Sequence, residues 1–266
     1  MRLAGIDFTC APSRRKPVTV AEGRLAGDTL RLDDLRALTT LADFDRWLAT
    51  PGAWLAAFDF PFGLPREFVD GNGLGASCDE VIAEVHARCP DRMAWRRFID
   101  AWGNGRTAGT RLLHRRTDGA TAVRSTSPLQ SRYVPVAFMY YEGLSRLVAA
   151  GVTIPGLRTG DPGRVALEGY PRRLAHAVVG GRSYKNRQAP DREAARLDIV
   201  RELEAGSQRF GVALSLDEAN REAILADASG DRLDAVLCLV QAAIAARLPA
   251  FGLPADIDRV EGWIAG

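Results

Sequence analysis

The chain has 266 residues, 47% hydrophobic and 26% charged, with a formal net charge of +2. That is a globular composition, and it excludes disorder, collagen and coiled coil as dominant states. Cys10, Cys78, Cys89 and Cys238 form no CxxC pair, against a disulfide framework or zinc ribbon. No apolar run reaches the ~18 residues of a membrane span, and Asp7 comes too early for a signal peptide. The expectation is a cytoplasmic protein with reduced thiols.

Leu3–Thr9, Pro17–Glu22 and Thr29–Leu32 read as three short strands joined by turns, an antiparallel meander. Asp33 or Asp34 is placed to cap a helix running to about Leu48, with Leu35, Leu38, Leu41, Phe44 and Leu48 at helical spacing. Ala53–Phe58 is a continuous apolar run that suits a central parallel strand. Residues 66–135 read as a basic, mainly helical insertion, with a helix around Cys78–Ala87. A helix near Tyr140–Ala150, a strand Arg164–Glu168 and a polar loop Gly180–Pro190 follow. Helices are expected over Arg192–Glu204, Leu216–Ala226 and Asp231–Arg247, the last apolar nearly all round and therefore buried. This order predicts a single α/β domain over residues 1–266. Its sheet is RNase H-like and mixed, an antiparallel meander plus parallel strands flanked by helices.

Asp7, Asp59 and Glu168 each interrupt or end an apolar strand, and Asp231 and Asp234 share one face at the start of the buried helix. Open α/β sheets bind ligands at the carboxyl ends of their strands. Carboxylates converging there repel one another unless a cation sits among them, and hard oxygen donors suit Mg²⁺ or Mn²⁺. Two such ions about 3.5–4 Å apart activate a water and stabilise the leaving oxygen of a phosphodiester. The structural alternatives are an N-cap and capping box for Asp231 and Asp234, and an ion pair with Arg172 or Arg173 for Glu168.

Charge is unevenly spread. Residues 86–135 carry ten basic and three acidic side chains, and residues 158–187 seven and two, whereas both ends are acidic. A basic middle suits a nucleic acid or phosphate partner, or else pairs with the acidic ends. Arg124, Ser125 and Thr126 are candidates to grip a phosphate backbone. Trp95 and Trp102, at helical spacing, read as core rather than as base-stacking platforms. Only Lys16 and Lys185 are lysines, so a compact amine is rare in this chain. There is no Gly-Lys dipeptide for a P-loop, no GxSxG elbow, and no fourth ligand to join Cys78, His86 and Cys89 in a zinc site.

The phrases Gly5-Ile6-Asp7-Phe8, Asp59-Phe60-Pro61-Phe62-Gly63-Leu64-Pro65, Glu168-Gly169-Tyr170-Pro171, Tyr184-Lys185, Asp231-Arg232-Leu233-Asp234-Ala235 and Glu261-Gly262-Trp263-Ile264 resemble the domain-of-unknown-function 429 family, described as predicted RNase H-like nucleases. The resemblance implies a metal-dependent nuclease in which Asp7, Asp59, Glu168, Asp231 and Asp234 are catalytic metal-site acids. It makes Tyr184 and Lys185 near-site residues, with Lys185 on phosphate. The sequence departs from standard RNase H in one respect: residues 35–48 offer Asp43 and Asp45 but no glutamate for the first helix. Two other functions stay open. One is an actin-like or sugar-kinase-like ATP phosphotransferase with Thr9–Lys16 as its phosphate hairpin. The other is a non-catalytic module holding nucleic acid or a phosphate ligand on the same fold.

Overall fold

The structure is a computed structural model describing residues 1–120 and 123–266. Strand β1 (Arg2–Asp7) precedes the hairpin β2 (Val18–Ala26) and β3 (Thr29–Leu38), then α1 (Leu41–Leu48) and β4 (Trp54–Phe58). Helices α2 (Arg66–Asn72), α3 (Cys78–Arg88), α4 (Arg92–Gly103) and α5 (Val136–Ala149) lead to β5 (Val152–Thr153) and β6 (Asp161–Glu168). The remaining elements are α6 (Pro171–Val179), α7 (Pro190–Ala205), β7 (Ala213–Ser215), α8 (Glu218–Ala226) and α9 (Asp231–Ala246).

The seven strands form one sheet in the order β5-β6-β4-β1-β2-β3-β7. β1, β2 and β3 pair antiparallel, while β4 lies parallel between β1 and β6. This is the RNase H-like mixed sheet expected from the element order. The edge strands β5 and β7, two and three residues long, are too short to leave a period in the sequence.

The first helix starts later than the sequence reading placed it, and a helix that reading did not place follows β6. The helix expected from Asp33 begins only at Leu41, because hairpin pairing continues to Leu38 opposite Val18. Asp33 and Asp34 stay on β3, and Thr40 caps α1 in a capping box with Asp43. Helix α6 follows directly on β6, with Pro171 at its first position, where the missing amide hydrogen costs nothing.

Strand alternation sorts the side chains onto two faces. On one face Ala4, Ile6, Phe8, Trp54 and Phe58 join an aromatic-rich core with α1, α3, α4 and α5. Phe68, Val81, Trp95 and Ile99 from the basic segment belong to that same core. Trp95 is fully buried, and its indole nitrogen donates to the Ala137 carbonyl at 3.0 Å. On the other face Leu3, Leu55 and Leu167 pack against α6, α7 and α9. Among the described residues no helix is long and apolar enough to cross a membrane.

Helix α9 presses on β1 at Gly5. A Cβ at this position would overlap the backbone of Ala235 and Leu239 and lie 2.6 Å from the Cys238 carbonyl carbon. Backbone atoms cannot give way as a side-chain tip can. Gly5→Ala should therefore lower the free energy of unfolding by about 3 kcal/mol or more, read from the midpoint of urea denaturation.

Candidate active site

In β1 and β4, Ile6 is the register partner of Phe58, so Asp7 and Asp59 follow side by side at the carboxyl ends of adjacent parallel strands. The Asp59 amide donates to the Ile6 carbonyl at 2.9 Å, which locks the two ends together. Both carboxylates lie on the α9 side of the sheet, opposite Ile6 and Phe58, which precede them and belong to the aromatic-face core. Asp234, in the first turn of α9, reaches the same point. Carboxylate oxygens of Asp7, Asp59 and Asp234 lie within 4.8 Å of one another.

The start of α9 leaves these acids free for other work. Gly230, with φ +83°, is the N-cap and offers no side chain. Asp227 accepts from the Arg232 amide at 2.9 Å instead. The N-cap and capping box, the structural alternative for Asp231 and Asp234, therefore do not form: Asp231 sits at the first helical position and pairs with Lys16. Lys16 Nζ is also 3.9 Å from Asp7 Oδ2, so it joins Asp231 to the three-aspartate group.

Both oxygens of Asp234 are held, one by the Tyr184 hydroxyl and the other by Lys185 Nζ. Tyr184 is buried although it comes from a polar loop. Burial opposes the charge on Lys185, but Asp234 and Asp59 outweigh it, and its pKa rises. Asp7 differs from Asp234. It is 7% exposed, and its Oδ2 has no hydrogen-bond partner among the described residues. Burial pushes its carboxyl well above the carboxylate range, with Asp234 adding to the rise and Lys16 opposing it. Burial likewise pushes Asp59 up to about 7, with Asp234 adding and Lys185 opposing. Cys238, one turn beyond Asp234, backs the site, and burial holds its thiol neutral.

Glu168 does not join this group. It is the register partner of Phe58, so it projects from the aromatic face rather than toward α9. There it meets Arg115 at 2.6 and 2.8 Å and accepts from the Phe62 amide at 2.8 Å. The ion-pair partner is thus neither Arg172 nor Arg173. Arg115 also pairs with Asp118 at 2.9 Å, and the Ser125 hydroxyl donates to Asp118 at 2.6 Å. Ser125 therefore supports this network, while Arg124 is exposed and its carbonyl accepts from the Tyr170 hydroxyl at 3.2 Å. Burial raises the Glu168 pKa despite Arg115, and the two acids keep the Arg115 pKa high despite burial.

Sequence reasoning missed Arg115 and Asp118, which nothing in the local pattern marks. It had a signal for Lys16, since both lysines of this arginine-rich chain end at the acid cluster. Part of the basic middle pairs with the acidic ends, as in Arg106–Glu67 and Arg116–Asp256. Arg124 and Arg172 make no ion pair with a carboxylate among the described residues.

Two expectations follow from these charges. Arg115→Met would leave Glu168 and Asp118 buried without their cation, so it should cost about 3–5 kcal/mol and exceed Glu168→Gln in the same denaturation series. Without a divalent ion, folded Asp59 keeps its proton to about pH 7, whereas in the unfolded chain it is lost at about pH 4. The folded state then binds more protons across that window, and stability falls as pH rises through it. Asp59→Asn should gain in melting temperature over the unmodified protein between pH 4 and 7 in EDTA, and Mn²⁺ at pH 8 should reverse the order.

No curated protein and no solved structure matches the chain. A family model does, over residues 5–258. That span takes in Asp7, Asp59, Asp234, Glu168 and both lysines, so the chain belongs to the family described as "Protein of unknown function (DUF429)".

Proposed function

We propose that the protein is a divalent-metal-dependent nuclease or phosphodiesterase, with nucleic acid as its substrate and Mg²⁺ or Mn²⁺ as its cofactor. The observation that carries this reading is the close set of carboxylate oxygens from Asp7 and Asp59, at the ends of adjacent strands, and Asp234, in the first turn of α9, with one buried Asp7 oxygen that makes no hydrogen bond among the described residues. An all-carboxylate donor set fits a hard cation. Two buried acids and one half-buried acid that repel one another would be relieved by one.

Asp7, Asp59 and Asp234 would hold the ion. Asp231 lies one helical turn from Asp234 and contributes through Lys16. Glu168, committed to Arg115, shapes the wall of the site instead. The ion supplies Lewis-acid polarisation of a phosphodiester and a water of lowered pKa. The protein's own groups do the rest. Tyr184 orients Asp234 by its hydroxyl. Lys185 and Lys16 carry positive charge to the edge of the acid cluster, where ammonium groups can meet phosphate oxygens. Arg124 and Arg172 are exposed and free to attract a polyanion.

Asp7→Asn is the direct test. In metal-free buffer it should leave the circular dichroism spectrum unchanged and raise the melting temperature, because a repelled carboxyl is removed. Mn²⁺- or Mg²⁺-dependent cleavage of labelled DNA or RNA should fall roughly a hundredfold or more, since even indirect partners of a metal site contribute 10- to 100-fold. Full cleavage by Asp7→Asn, or no metal-dependent cleavage by the unmodified protein, defeats the reading. Saturable ATP binding without cleavage would favour a phosphotransferase.

A further inference from the structure

Beside the three aspartates lies a cavity of about 320 Å³, whose lining includes Asp59 and Lys185. A ligand held there therefore borders the acid cluster. The volume is at the small end of the range of about 300–1,000 Å³ for small-molecule sites. One nucleotide fits such a space and a duplex does not. The lining is mixed: Phe60, Val136 and Met139 are apolar, whereas Thr126 and Asn186 offer hydrogen bonds and Arg172 a cation. A nucleobase has the same division, with apolar faces and a polar edge, and its phosphate would find Lys185.

The rim adds an independent observation. Val134 lines the cavity and is 54% exposed, and the preceding residue, Tyr133, is 101% exposed. Tyr133 holds φ +61°, a left-handed conformation that a bulky residue rarely adopts. The turn is fixed by Val134 N–H to the Arg132 carbonyl at 2.7 Å and by the Arg132–Asp100 ion pair at 2.7 Å. Asn186, another lining residue, is also left-handed, with φ +70°. Strained residues of this kind concentrate at functional sites. Here the strain presents an aromatic ring wholly to solvent, and solvent exposure gives the fold no reason to keep it.

We propose that the cavity receives the base of a single unpaired nucleotide, and that Tyr133 stacks on its neighbour, so that the substrate is unpaired rather than duplex nucleic acid. This rests on the nuclease reading above. Stacking on an aromatic ring tolerates any base and suits single strands.

The test measures fluorescence anisotropy in EDTA with three oligonucleotides, made as DNA and as RNA: a single strand, a paired duplex, and a duplex with a one-nucleotide 2-aminopurine bulge. The single strand and the bulge should bind at least about tenfold more tightly than the paired duplex. Tyr133→Ala should remove about tenfold of the affinity for the unpaired forms and leave duplex binding unchanged, while Tyr133→Phe retains the preference. Because Tyr133 is fully exposed, its loss does not threaten the fold. Met139→Trp, checked by its melting curve, should remove the preference by filling the cavity. Equal affinity for paired and unpaired forms, or a Tyr133→Ala protein that binds as before, overturns the proposal. The two readings fail separately. A preference without any metal-dependent cleavage supports the cavity and sinks the nuclease, and equal binding with cleavage does the reverse.

Discussion

The close contact between strand β1 and helix α9 at Gly5 sets the geometry of everything at the site. Only a residue without Cβ lets the backbone of Ala235 and Leu239 come so near the central strand. Two residues beyond Gly5 the strand ends in Asp7, and one residue before Ala235 the helix carries Asp234. Bringing the two elements together therefore brings two acids together, with Asp59 beside them through the β1–β4 register. The core on both faces of the sheet supplies the stability that holds three mutually repelling groups at this distance. The site is therefore a product of the packing, which holds the acids together against their repulsion.

The molecule answers its buried acids in two ways, and the contrast separates structural from functional charge. Glu168 and Asp118 share Arg115, whose guanidinium stays charged under all ordinary conditions and makes bidentate contacts. That arrangement is closed. Glu168 accepts at both oxygens, and the C-terminal segment is tied to the same strand end, with Ala265 N–H donating to the Glu168 carbonyl at 2.9 Å. The aspartates are answered by lysines instead, Lys16 from the β1–β2 loop and Lys185 from the loop before α7. Both lysine side chains keep contact with solvent, and an ammonium on a flexible stem can exchange one oxygen partner for another. A closed arginine network builds a wall. An open lysine-bordered one can change partners when a cation or a phosphate arrives.

Much of this was readable from residue order because the signals were unambiguous. An acid inside an apolar strand, as at Asp7, has few structural uses, and a helix apolar all round, as at α9, has to be buried. The misreadings have equally plain causes. Leucines at positions 35 and 38 fit a helical period, but pairing of β3 with β2 claims them. Tertiary hydrogen bonding outranks local pattern where the two conflict. Glu168 was grouped with the other acids because its strand ends as theirs do. Which face a strand residue takes depends on register, and a shift of one residue reverses it. Opposite Phe58, Glu168 falls on the wrong face; Gly169 follows it on the α9 side, where a Cβ would lie 3.2 Å from the Cys238 sulfur. Arg115 could not be singled out among 35 basic residues, because its partners are distant in sequence. The two lysines could have been, since rarity against an arginine background was their signal.

The Asp7 oxygen that makes no hydrogen bond carries more weight than the count of acids. Exposed clusters of carboxylates are common and need no ion. A buried carboxylate with an unsatisfied oxygen is different, because desolvation without compensation costs about 1–3 kcal/mol. Protonation is the cheap remedy, and burial drives the Asp7 carboxyl in that direction. Yet protonation leaves Lys16 and Lys185 facing fewer negative charges, so each proton gained weakens a pair already formed. A divalent cation would remove the conflict, because all three aspartates could then ionise while the lysines stay charged beside them. Both lysines reach the acid cluster with their side chains still partly open to solvent, an arrangement that would let them give way to an ion among the aspartates.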